Sequence, residues 1–166
     1  PESKINKVCI FPFVKSINES AFCGCSLLTQ ITFPSSLMMI GEKAFNECSS
    51  LEQIKIPSSV YSIGKKAFRN CSKMRKFIID NNNQSLTLFE AKTFKGCSLL
   101  EQIKIPASIT IIKPASFQYC SNLSKVIIPT PSNLTTIEKY SFKKCTNLTE
   151  INIPPSTTYI GKCAFF

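Results

Sequence analysis

A chain of 166 residues with 43% hydrophobic side chains is long enough to bury a core of its own, and its apolar residues never gather into a run of about eighteen, so no transmembrane helix is expected. The net charge of +10, from 20 Lys and Arg against 10 Asp and Glu, favours acidic partners in general. Arg occurs only at Arg69 and Arg75 and the lysines are scattered, which argues against nucleic acid, and the absence of histidine removes a common metal ligand and a common general base.

In chain order, Pro1 to Lys7 carries no basic stretch followed by a long apolar run, so no leader sequence is read there. Val8, Ile10, Val14 and Ile17 then occupy the apolar positions of half a repeat, which places the start of the periodic region near residue 5. A period of 23 residues follows. It is marked by seven pairs of a small residue with phenylalanine: Ala21-Phe22, Ala44-Phe45, Ala67-Phe68, Thr93-Phe94, Ser116-Phe117, Ser141-Phe142 and Ala164-Phe165. Self-similarity at this length is the signature of stacked supersecondary units.

Three residues after each of the first six phenylalanines stands a cysteine: Cys25, Cys48, Cys71, Cys97, Cys120 and Cys145. Leu28, Leu51, Met74, Leu100, Leu123 and Leu148 come next, then Ile31, Ile54, Phe77, Ile103, Val126 and Ile151, and two residues later Phe33, Ile56, Ile79, Ile105, Ile128 and Ile153. The last spacing is that of a strand with one buried face. Proline closes it in every repeat except at Asp80, because a residue with no N–H ends a ladder without costing an interior hydrogen bond. The second half of the unit, such as 41–48, has apolar residues three and four apart and is predicted to form a short α or 3-10 segment. Insertions after Ile79, through Asp80 to Gln84, and after Ile128, through Pro129 to Ser132, fall at one corner of the unit.

The pattern resembles the BspA-like class of leucine-rich repeats. The resemblance is carried by Leu51, Ile54, Ile56, Pro57, Ser59, Val60, Ile63, Gly64, Ala67, Phe68 and Cys71, and it recurs through nearly the whole chain. Departures occur at Asp80, at Phe89 in place of Ile-Gly, and at Thr157 in place of Val. The resemblance implies an α/β leucine-rich-repeat solenoid, a horseshoe with a parallel sheet on its concave side, one short strand per turn, and short α or 3-10 segments opposite. Residues 1–166 are read as a single domain of about seven turns. No polar unit covers the last apolar layer at Phe166, so the chain is expected to be a fragment of a longer array or to associate end to end. The family resemblance also implies a surface protein of mucosal microbes or parasitic protists that adheres to host proteins or neighbouring cells, and the richness in Asn, Lys and Ile suits a protist.

The ladder cysteines Cys25, Cys48, Cys71, Cys97, Cys120 and Cys145 are not read as a zinc site, which needs converging pairs, but as small buried hydrophobes with reduced thiols, favoured over disulfides between neighbouring turns, which the spacing of about 4.8 Å also allows. Cys9, Cys23 and Cys163 fall outside the ladder and are the candidates for exposed thiols. No metal or cofactor is expected. Gly41, Gly64 and Gly161 are taken to supply backbone freedom at a turn. In leucine-rich repeats a polar ladder just before the Val position bonds the neighbouring turn, which implies that role for Ser36, Ser59, Ser85, Ser108, Asn133 and Ser156. Carboxylates are dispersed and the serines lack an activating base, so the chain is read as non-enzymatic.

Strand alternation turns a second set of side chains outward. These are Gln30, Thr32, Gln53, Lys55, Lys76, Ile78, Gln102, Lys104, Lys125, Ile127, Glu150 and Asn152, the candidate protein-binding strip. Isoleucines that repetition places in solvent are the most informative members. Sequons occur at Asn18, Asn70, Asn83, Asn122, Asn133 and Asn147, of which Asn83, in the insertion, is expected to be accessible. The leading functional reading is a cell-surface or extracellular adhesion module with a protein ligand. The alternatives are a cytoplasmic scaffold, favoured by the thiol ladder, and the substrate-recruiting arm of a larger enzyme.

Overall fold

The computed structural model describes residues 3–166; Pro1 and Glu2, at the head of the segment read for a leader, lie outside the described residues. The chain winds as a parallel β-solenoid of about seven turns. Each turn but the last contributes two short strands, not one, for the first four turns β1 (Lys7–Cys9) and β2 (Ser16–Ile17), β3 (Gln30–Thr32) and β4 (Met39–Ile40), β5 (Gln53–Ile56) and β6 (Ser62–Ile63), β7 (Lys76–Ile79) and β8 (Leu88–Phe89). They continue as β9 (Gln102–Lys104), β10 (Ile111–Ile112), β11 (Lys125–Ile127), β12 (Thr136–Ile137) and β13 (Tyr159–Ile160). Residues 150–153, where the repeat predicts a further strand, form none.

The strands make two faces. On the first, β1 pairs with β3, and β5, β7, β9 and β11 form a sheet; on the second, β2, β4 and β6 form one sheet and β8, β10, β12 and β13 another, all in parallel register. The second face breaks where the insertion after Ile79 intervenes between β6 and β8. The first breaks between β3 and β5, which do not pair; just before them the Glu52 N–H reaches the Thr29 carbonyl at a long 3.5 Å. Phe33, which takes the position of Ile56 and lies tilted against Phe45 at 5.8 Å, stands at this opening.

No helix forms among the described residues, and the reason is visible in the backbone hydrogen bonds. From Lys66 to Cys71 the donors alternate. Lys66, Phe68 and Asn70 give their N–H groups to Ala91, Thr93 and Lys95 of the next turn, while Ala67, Arg69 and Cys71 give theirs to Gly64, Lys66 and Phe68 within the turn. Half the donors a helix would keep inside are thus used to join turns. Two residues per turn adopt left-handed φ to make this possible, such as Lys66 at 59° and Asn70 at 60°, and the pair recurs at Lys43 and Glu47, Lys92 and Gly96, Ala115 and Tyr119, Tyr140 and Lys144. The apolar spacing that suggests a helix is that of two tight turns placed end to end.

The core fills from this register. Phe22, Phe45, Phe68, Phe94, Phe117, Phe142 and Phe165 stack face to face with neighbouring centroids 5.1 to 5.9 Å apart and planes within 10°. Phe89, which replaces isoleucine, is buried edge-on to Phe94 and Phe117 at 5.5 and 5.7 Å. Ile54, Ile56, Ile103, Ile105, Leu51 and Leu100 complete the layer beneath the first face.

Gly41, Gly64 and Gly161 are not there for backbone freedom, since none has positive φ. A Cβ at Gly64 would lie 2.5 Å from the Glu42 nitrogen of the preceding turn, and at Gly41 and Gly161 the nearest backbone nitrogen is 2.7 and 2.4 Å away. The glycines let adjacent turns touch. Gly64→Ala is therefore expected to lower stability by about 1–3 kcal/mol, as overpacking against backbone does, whereas Lys66→Gly, which relieves a left-handed residue, should raise it by ~0.5 kcal/mol. Denaturant melts of the two variants check the opposite signs.

Candidate binding face

The outward positions of the first face form two columns. Lys7, Gln30, Gln53, Lys76, Gln102 and Lys125 make one, and Cys9, Thr32, Lys55, Ile78, Lys104 and Ile127 the other, with Lys55 beside Ile78 and Lys104 beside Ile127 across the ladder. All are exposed. The strip residues from Gln30 to Ile127 thus lie on one face, interrupted between β3 and β5, while Glu150 and Asn152, though exposed, lie past the last strand of that face. Ile78 is 45% exposed although its neighbours Phe77 and Ile79 are buried.

Where β3 and β5 part, the face opens into a cleft of about 530 Å³ lined by Gln30, Thr32, Gln53, Lys55, Ile78 and Asp80. A smaller hollow of about 170 Å³ lies beside the insertion, between Asn81, Gln84, Lys104 and Pro106. Among the described residues no carboxylate lies within 4 Å of Lys7, Lys55, Lys76, Lys104 or Lys125; the ion pairs present join Lys43 to Glu19 and Glu42, Arg69 to Glu47, Arg75 to Glu101 and Lys113 to Glu138. Lys104 Nζ donates to the side-chain Oδ1 of Asn81 at 2.9 Å. The charge of this face is therefore open to a partner.

The profile of the BspA type leucine-rich-repeat region matches in six copies, over residues 2–124 and 82–166. The chain belongs to this family. No curated protein matches it. Among solved structures, this BspA-type chain is similar to a leucine-rich cell surface protein of Faecalibacterium prausnitzii, with 30% identity and a TM-score of 0.84 over 98% of this chain and 45% of that one. A leucine-rich repeat protein of Eubacterium ventriosum gives the same identity and TM-score over 98% of this chain and 42% of that one. The pneumococcal vaccine antigen PcpA, at 22% identity and a TM-score of 0.56 over 94% of this chain and 36% of that one, shares the fold. The chain spans less than half the length of these proteins. Among the described residues no helix is long and apolar enough to cross a membrane.

The polar ladder is only partly as the family pattern implies. Ser36, Ser59, Ser108 and Ser156 donate to the carbonyls of Val14, Leu37, Leu86 and Leu134 at 2.5 to 3.0 Å. Ser85 does not, because Asn83 takes over. Its amide nitrogen donates to the Pro57 and Val60 carbonyls at 3.2 and 2.7 Å, and its oxygen accepts from the Ser85 and Leu86 N–H groups. Asn83 is thus buried, only 4% exposed, and is not the accessible sequon. Its acceptance of two local N–H groups is an Asx turn, for which asparagine within the insertion is the sequence signal. Asn133 joins its neighbour through its backbone N–H to Ala107, and the exposed sequons are Asn18, Asn133 and Asn147. Sequence reasoning also missed the exposed side chains of Phe11, Phe13, Met38, Met39 and Tyr61.

The ladder cysteines are buried, and each from Cys48 to Cys145 donates its thiol to the phenylalanine carbonyl of the turn before, at 3.1 to 3.2 Å. Burial pushes the thiols of Cys48, Cys97 and Cys145 up to about 12, and those of Cys71 and Cys120 well above the usual thiol range, where burial is reinforced by the neighbouring cysteines. Cys9 and Cys23 are exposed and Cys163 is half-buried. Native alkylation near pH 8 is accordingly expected to label Cys9 and Cys23, with Cys163 slower, and to spare Cys48, Cys71, Cys97, Cys120 and Cys145 until denaturant is added; intact mass reads the count. Because these folded-state thiols hold their protons above the unfolded value of about 9, stability should be constant below that pH and fall as pH rises toward 12, which melts across the alkaline range measure.

Proposed function

We propose that this chain is a non-enzymatic protein-binding module, a surface adhesion or host-interaction protein outside the cell, and that its ligand docks on the first face through Gln30, Thr32, Gln53, Lys55, Lys76, Ile78, Gln102, Lys104, Lys125 and Ile127. The observation that carries this reading is the combination on one face of lysines without carboxylate partners and two exposed isoleucines. Repetition gives a structural reason for burying Ile54 and Ile103 but none for exposing Ile78 and Ile127. Apolar side chains in solvent mark interaction sites, and the unpaired lysines around them supply charge complementarity to an acidic partner. The F. prausnitzii protein, described as a cell surface protein, supports the placement outside the cell. The rigid stack supports the non-enzymatic reading, since it offers an extended surface and its carboxylates are dispersed.

Surface plasmon resonance against a panel of purified extracellular-matrix and cell-surface proteins tests this. At least one is expected to bind, and the triple variant Lys55→Glu, Ile78→Asn, Lys104→Glu should weaken that binding by about 100-fold, on the order of two to three kcal/mol, with an unchanged melting temperature. Binding undiminished in the variant would move the site off this face.

A further inference from the structure

Two pairs of lysines on the first face stand at the same interval, and that interval selects a shape of ligand. Lys76 and Lys125 both pair in register with Gln102, so they stand two strand spacings apart, about 9.6 Å. Lys55 and Lys104 stand likewise on either side of Ile78 in the neighbouring column. A peptide crossing these strands along the solenoid axis meets a cation at that interval. A β-strand returns to the same face every ~6.8 Å and falls out of step by the second lysine. A polyproline II helix has three residues per turn and returns every ~9.3 Å.

We propose that the first face takes an acidic peptide segment in the polyproline II conformation, with a carboxylate at every third residue, an inference that rests on the reading of this face as a protein-binding surface. The carboxylates pair with Lys76 and Lys125, or with Lys55 and Lys104. Among the acids near the face, Glu101 is held by Arg75 at 3.0 Å, while Glu52 and Asp80 make no ion pair with any of these lysines. A polyproline II chain has no internal hydrogen bonds, so its carbonyls need donors. The side-chain amides of Gln53 and Gln102, in the column of Lys76, supply them. Ile78 and Ile127 offer the apolar contact that proline rings require.

Fluorescence anisotropy with a labelled peptide of Glu-Pro-Pro repeats tests the proposal. It should bind at least about tenfold tighter than a Gln-Pro-Pro peptide of equal length and than a peptide of alternating Glu and Thr with the same number of carboxylates. Lys76→Glu with Lys125→Glu should weaken it by about tenfold or more, while Lys139→Glu with Lys162→Glu, both exposed and off this face, should leave it unchanged. Equal binding of the alternating peptide would overturn the polyproline II assignment, and binding of a sulfated polysaccharide in place of Glu-Pro-Pro would overturn the peptide assignment. A chain that binds a protein of the panel through this face but ignores Glu-Pro-Pro refutes only this inference. A chain that binds neither refutes the protein-binding reading as well.

Discussion

Everything in this molecule depends on how one turn satisfies the backbone of the next. A buried N–H or carbonyl without a partner costs as much as a lost hydrogen bond, and a short coil of irregular backbone leaves many such groups. The alternation seen from Lys66 to Cys71 resolves this by sending every second donor to the following turn. Such bonding works only if equivalent residues face one another, which enforces a repeat of nearly constant length. Insertions are then tolerated only at the corner after the strand, where β6 and β8 fail to pair and the chain is re-anchored by Asn83.

Once that register exists, the side-chain ladders follow from it. Phenylalanine rings a turn apart stack with nearly parallel planes, the cysteine thiols find the carbonyl of the preceding turn, and the serines close the corner. The ladder cysteine is better described as a buried donor of fixed geometry than as a space-filling residue. Its replacement by alanine would leave a cavity and remove one of two donors to that carbonyl, which keeps the backbone N–H of the cysteine in its own turn.

The sequence made the solenoid, its core positions and its outward columns legible because each depends on spacing alone. Ile78 and Ile127 are recognisable as exposed from strand alternation, and the structure puts them on one surface. What spacing could not give was conformation. Apolar residues three and four apart fit one helical turn and two opposed tight turns equally well, and the decision rests on the left-handed φ of residues such as Lys66 and Glu47, whose side chains carry no such signal. Glycine misled in the opposite direction, because at Gly41 and Gly64 it answers to contact between turns. The opening between β3 and β5, beside which Phe33 lies against Phe45, has no counterpart in the residue spacing.

The face that results is exposed and carries lysines without carboxylate partners, and recognition is the role proposed for it. Hydrogen–deuterium exchange of the chain with a bound protein partner tests that claim most directly. The account predicts protection concentrated in 30–32, 53–56, 76–79, 102–104 and 125–127, the strands whose outward columns would be covered. Protection confined to the second face, at 39–40, 62–63 and 111–112, would contradict it.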